Sequence, residues 1–293
     1  MSLFKGSGVA IVTPFNADGS INFGAFEKLI EFQIENKTDA IIVCGTTGEA
    51  STLTDEEQIN MIKFAVDKVN KRIPVIAGAG SNYTSHGIEL CVECEKVGAD
   101  GLLLVTPYYN KTSQRGLIEH YTDCAKSVDI PVILYNVPGR TGLNINPKTA
   151  YELSKIDNIV AIKEASGNIS HIAELAALCY GRLDMYSGND DQITPILALG
   201  GIGVISVVAN IAPLDMHNLV TKYLEGDIKT ATELQLKAIP LSKEIFSEVN
   251  PIPVKEALNM MGYNAGGYRK PLIEMESGNR EKLRTAMQNY GLI

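Results

Sequence analysis

One pattern constrains this chain more than any other. Between residues 8 and 224 a short apolar run gives way to an amphipathic stretch and then returns, eight times over, with no linker or low-complexity segment between. The runs at 8–13, 40–44, 74–77, 101–105, 131–135, 158–163, 184–187 and 203–208 are four to six residues long. Runs that short, closed by turn residues, read as strands buried on both faces, as in a parallel sheet. Helical spacing fills the gaps at 22–35, 54–71, 84–97, 113–127, 147–153, 169–178, 191–199 and 213–224. Thr54 followed by Glu57 marks one helix start as a capping box. Strict alternation of this kind predicts an α/β fold with an all-parallel sheet. Eight units predict a (β/α)8 TIM barrel over 1–225, with a doubly wound sheet as the other option. Beyond it the pattern turns to helices only, at 228–246, 253–261 and 279–290, predicting a C-terminal helical appendage over 226–293.

Composition removes several function classes. A net charge of −8 argues against nucleic acid or an anionic membrane as partner. No apolar run approaches the roughly 20 residues that span a bilayer, and residues 1–8 are too short and polar for a secretory signal. Five cysteines, an odd number, fit a reducing cytoplasm better than a disulfide framework. Cys91 and Cys94 are spaced C-x-x-C but stand alone on a helical stretch, so buried thiols are expected rather than zinc.

In a barrel the chemistry collects where the strands end. Lys163 closes the sixth strand, with two residues between it and the polar turn at 166–168. A lysine there can extend its ammonium into water. Alternatively it is an amine in a partly dry pocket, ready to attack a carbonyl carbon. The other strand ends bear on that choice. Thr46 and Thr47 follow the second strand, Tyr109 the fourth, and Tyr135 ends the fifth; Gly188 follows the seventh and Ile205 lies in the eighth. Hydroxyls and an amine around one mouth are the parts an imine mechanism needs, because carbinolamine formation and loss of water each move a proton. Tyr135 could instead only pack its ring. Gly45-Thr46-Thr47-Gly48 could be only a tight turn, although its N–H groups would suit a carboxylate.

Other sites find little support. The four histidines have no ligand spacing, and Asp190-Asp191 reads as a helix cap rather than a metal site, so no metal is expected. Glycine is missing at 207–210, after the eighth strand, where a phosphate clamp would need it. No G-x-G-x-x-G follows the first strand, and no dinucleotide cofactor is expected.

Three stretches, 45–49 (GTTGE), 135–141 (YNVPGRT) and 162–167 (IKEASG), in this order and with the tail stretch 250–255 (NPIPVK), resemble the dihydrodipicolinate synthase / N-acetylneuraminate lyase family over nearly the whole chain. The resemblance implies a (β/α)8 class I aldolase-type lyase that needs no cofactor. Lys163 would form a Schiff base with pyruvate, and Tyr135 would be the general acid/base. Thr46 and Tyr109 would complete the proton relay, Tyr109 reaching in from a neighbouring subunit. Thr47 and the backbone of Gly188 and Ile205 would hold the pyruvate end. Arg140 separates the branches: sialic-acid lyases lack it, whereas a bidentate guanidinium there meets the carboxylate of aspartate-β-semialdehyde. The implied reaction is condensation of pyruvate with that aldehyde, first in the diaminopimelate/lysine branch, in a cytoplasmic homo-oligomer arranged as a dimer of dimers. An aldolase of sialic or keto-deoxy sugar acids, or a barrel that only binds a keto acid, stays open at this point. Lysine-inhibited members are similar at Ser51, Asn82 and Tyr108. This chain departs from them at Asp55, Gln58 and His86, which implies weak or absent inhibition by lysine.

Overall fold

The eight strands close, in chain order, into one parallel barrel. The computed structural model describes residues 2–293; Met1, part of the 1–8 stretch and of the 1–225 unit read above, lies outside the described residues. The first half runs β1 (Gly6–Ala10), α1 (Phe23–Glu35), β2 (Ala40–Val43), α2 (Asp55–Val69), β3 (Val75–Gly78), α3 (Thr84–Lys96), β4 (Gly101–Val105) and α4 (Gln114–Lys126). The second half runs β5 (Val132–Asn136), α5 (Pro138–Thr141), α6 (Pro147–Leu153), β6 (Ile159–Glu164), α7 (Ile169–Cys179), β7 (Asp184–Ser187), α8 (Ile193–Ala198), β8 (Gly203–Ser206) and α9 (Pro213–Leu224). Then come α10 (Ile228–Ile245), α11 (Ile252–Met260) and α12 (Ser277–Tyr290).

Side-chain alternation divides the apolar residues between two cores. Ala10, Ile42, Ile76, Leu103, Ile133 and Ile205 fill the barrel. Their neighbours Val9, Ile41, Val75, Leu102, Val132 and Val204 face the helices. Phe4 stacks on Tyr186 with ring centroids 4.3 Å apart, and the Tyr186 hydroxyl donates to the Phe4 carbonyl at 2.7 Å, so the amino-terminal end of the barrel is stoppered. The opposite mouth is left for chemistry. The Thr54–Glu57 capping box is present at the start of α2. Asn22 and Ser113 cap α1 and α4 in the same way, through side-chain oxygens that accept from the first turn.

One irregularity decides the site. Between β5 and β6 the register slips, from Val132 opposite Ile159 to Ile133 opposite Ala161. β6 thus carries one extra residue, Val160, which packs against the interior together with Ala161. In an uninterrupted strand Lys163 would share the outward face of Ile159. The bulge reverses the phase and turns Lys163 inward, in register with Tyr135.

β1 and β8 end earlier than the runs at 8–13 and 203–208, at Ala10 and Ser206, and three further departures from the sequence reading bear on the site. β6 runs one residue further, so Lys163 is its penultimate residue and Glu164 its last. Residues 138–141, outside every strand and helix read from the sequence, form the single helical turn α5, begun by Pro138 with its fixed φ. Asp190 does not cap the helix that follows it. It is buried, accepts from the N–H groups of Val207 and Val208 at 3.0 and 3.1 Å and from the Ser206 hydroxyl, and so fixes the chain leaving β8. Desolvation raises the Asp190 carboxyl above the usual range, against those hydrogen bonds. The tail helices are bound to the same region: α10 lies on α9 and on the turn at Asp190–Gln192, and α12 lies on α10 and α11. Gln235 of α10 donates to the Asp190 carbonyl at 2.9 Å.

Candidate active site

Lys163 and Tyr135 sit opposite each other on adjacent strands near the carboxyl-terminal end of the barrel. The Lys163 Nζ stands 4.3 Å from the centre of the Tyr135 ring, and the two residues are 5% and 7% exposed. The lysine arm is given room by Gly188. A Cβ at that position would lie 3.1 Å from Lys163 Cε and 2.7 Å from Ala165 Cβ, so any side chain would press on the amine. The Gly188 N–H is already used, donating to the Glu164 carbonyl at 2.7 Å. Ile205 is fully buried on the interior face of β8.

The loop after β2 is held from several sides. Cys44 and Glu49 both take left-handed backbone conformations, φ 56° each, and bracket the turn. Gly48 N donates back to the Gly45 carbonyl at 3.0 Å, and Thr13 Oγ1 donates to the Gly48 carbonyl at 2.6 Å. Thr46 lines a cavity of about 370 Å³ together with Tyr135 and Arg140. Thr47 is buried, and its hydroxyl accepts from Asn250 Nδ2 at 2.9 Å. Arg140 stands exposed on α5 at the mouth and makes no ion pair among the described residues.

Tyr109 is the candidate that the fold does not bring in. It is 91% exposed, takes a left-handed φ of 69°, and is absent from the cavity of its own chain.

Sequence reasoning missed the residues behind this first rank. Glu164, fully buried, accepts from Asn136 Nδ2 at 2.9 Å and from Ser166 N at 2.7 Å. Asn136 also donates to Asn144 Oδ1 at 2.8 Å and accepts from Ile145 N at 2.9 Å. This network ties the loop carrying α5 to the end of β6, so the place of Arg140 depends on the residue next to Lys163. A signal existed: Asn136 and Glu164 each follow a candidate residue at a strand end, where a polar residue facing away from the barrel needs a partner.

The cavity continues outward past Ser51, Asp55, His86 and Tyr108. His86 Nε2 lies 3.1 Å from both carboxylate oxygens of Asp55, so the two line the recess as a pair. The five cysteines are all buried thiols.

Comparison with known proteins gives the family and the fold. A family profile described as the dihydrodipicolinate synthetase family matches residues 3–290. A 4-hydroxy-tetrahydrodipicolinate synthase from Caldicellulosiruptor bescii is 58% identical over 292 residues, covering 100% of this chain and 99% of its own. The crystal structure of a dihydrodipicolinate synthase from Acinetobacter baumannii, complexed with pyruvate, superposes with a TM-score of 0.97 at 46% identity, covering 99% of each chain. A dihydrodipicolinate synthase from Cyanidioschyzon merolae with lysine bound gives a TM-score of 0.97 at 38% identity, covering 100% of each chain.

Proposed function

The chain belongs to the dihydrodipicolinate synthetase family, and from that premise we propose that it condenses pyruvate with aspartate-β-semialdehyde through an imine on Lys163. It is a lyase of the class I aldolase type, acting at the start of diaminopimelate and lysine synthesis. Relatives that share more than half its residues over their full length carry the synthase name, which favours this reaction over sugar-acid cleavage or mere binding.

One observation carries the assignment of residues: an inward lysine in register with a tyrosine, its Nζ 4.3 Å from the ring, at the open mouth of the barrel. The neutral amine attacks the pyruvate ketone, and the carbinolamine expels water. The resulting iminium draws electrons from the methyl carbon, which loses a proton and becomes the nucleophilic enamine carbon. No cofactor is needed, because the iminium is itself the electron sink. That carbon adds to the aldehyde carbonyl, and Tyr135 moves the protons at the carbinolamine oxygen and at the new alkoxide, with Thr46 beside it in the cavity. Thr47 meets the pyruvate carboxylate, while Gly188 and Ile205 shape the floor. Arg140, exposed at the mouth and without an ion pair among the described residues, takes the carboxylate of the incoming aldehyde as a bidentate partner.

The exposure of Tyr109 supports a role in a second subunit's site, in a homo-oligomer built as a dimer of dimers. Cytoplasmic residence fits an amino-acid biosynthetic enzyme in which no helix among the described residues is long and apolar enough to cross a membrane. The division into a 1–225 barrel and a 226–293 appendage is retained as part of this reading. Borohydride added with pyruvate is expected to fix a single adduct on Lys163, located by peptide mass spectrometry, and to abolish turnover. An adduct on another lysine, or none, overturns the mechanism.

A further inference from the structure

The loop that carries Thr46 and Thr47 is clasped by the far end of the chain. Asn250, between α10 and α11, is 6% exposed and donates through Nδ2 to Thr47 Oγ1 at 2.9 Å. Five residues on, Lys255 reaches Glu49 Oε1 at 2.8 Å and also donates to the Gly267 carbonyl. The Arg269 N–H donates to Glu49 Oε2 at 3.3 Å, and its guanidinium meets Glu57 at 2.6 and 2.7 Å. Both Thr47 and Glu49 are therefore held by one C-terminal segment, which is itself anchored by buried charge.

The contact to Thr47 has a direction. A threonine hydroxyl offers one proton and two lone pairs, whereas an amide N–H can only donate. With Asn250 donating, a lone pair of Thr47 is occupied and its proton must point elsewhere. Asn250 Oδ1 is buried with no hydrogen-bond partner among the described residues, so the bond to Thr47 is the polar contact that orients this amide. A donor aimed away from Asn250 is what an anionic ligand at the loop would need.

We propose that Asn250 is a positioning residue for the keto-acid end of the substrate: it holds the Thr47 hydroxyl as a hydrogen-bond donor towards the pyruvate carboxylate. This rests on the reading of Thr47 as the carboxylate partner in the imine mechanism. The role gives the C-terminal segment a part in substrate recognition, beyond covering the barrel.

The test is a cycle of Asn250→Ala, Thr47→Val and the double variant, with Asn250→Asp as a near-isosteric fourth protein. A lost hydrogen bond to a charged group is expected to raise the pyruvate KM roughly ten- to hundredfold. The semialdehyde KM and kcat should move far less. Asn250→Asp should act in the same direction, because a carboxylate accepts the Thr47 proton and turns it back. If Asn250 works through Thr47, the double variant is no worse in pyruvate KM than Thr47→Val alone. An unchanged pyruvate KM in Asn250→Asp, or effects that multiply in the double variant, overturns the proposal. Borohydride trapping at saturating pyruvate separates the two readings: a Lys163 adduct with an unchanged KM removes only the role of Asn250, whereas no adduct even in the wild type removes the imine mechanism beneath it.

Discussion

Lys255 gives the sharpest test of how the tail is bound to the barrel. Its ammonium is fully buried, 2.8 Å from Glu49 Oε1, with the rings of Phe15 and Tyr268 at 4.4 and 5.3 Å. Desolvation pushes this lysine below the ordinary lysine range, although Glu49 opposes the shift. Lys255→Met keeps most of the volume and removes the charge. Glu49 then remains as a buried carboxylate with only the Arg269 N–H at 3.3 Å, and the Gly267 carbonyl loses its donor. Breaking one side of a buried pair costs about 3–5 kcal/mol, a large part of the roughly 5–15 kcal/mol that holds a domain folded. Adding Glu49→Gln removes the stranded charge and should recover about 2 kcal/mol or more of that loss. Urea unfolding at one fixed protein concentration measures both numbers, since an oligomer's apparent stability depends on concentration. A loss below about 1 kcal/mol in Lys255→Met would refute the reasoning. So would a double variant no more stable than the single one.

Arg140→Ala should raise the KM for the semialdehyde by roughly ten- to hundredfold, the loss of a charge-assisted pair, while borohydride still traps pyruvate on Lys163; a variant that no longer binds pyruvate contradicts the assignment. Glu57 makes a pH prediction: the Arg269 guanidinium holds its carboxyl down at about 2 from an ordinary 4.5. A depressed carboxyl contributes its stability in full above about 4.5 and loses it as the pH falls towards 2. Taken whole the shift is worth ~3 kcal/mol, and solvent at side chains 21% and 30% exposed reduces this to about 1–2 kcal/mol. The stability gap between wild type and Glu57→Gln should therefore close between pH 5 and pH 2, and a gap that stays constant would contradict it. Lysine should inhibit weakly, with half-inhibition above about 1 mM, because the Asp55 carboxylate that faces the recess is engaged by His86; inhibition well below that concentration would show that another acid receives the ammonium.

Much of this architecture was legible in the order of residues. The alternation of apolar runs and helical spacing is a local signal, and the bounds of β4, β7 and α9 match it residue for residue. The capping box at Thr54 needs only residues three apart, and it formed. Lys163, Tyr135 and Thr46 could be placed at one mouth because strand ends in a parallel barrel all point the same way.

Contacts between distant residues were not legible. Asn250 meets Thr47 across 203 positions, Lys255 meets Glu49 across 206, and the local spacing that reads Asp190 as a helix cap says nothing of its grip on the chain after β8. Tyr109 carries no sequence mark to tell a pocket-facing tyrosine from one standing in solvent. The direction of Lys163 is the clearest case. A period of two says which residues of a strand share a face, but the face that meets the interior depends on register with the next strand. An apolar run such as Ile-Val-Ala-Ile looks the same in either phase. Only the pairing of β5 with β6, and the extra residue it leaves at Val160, turns the amine into the barrel.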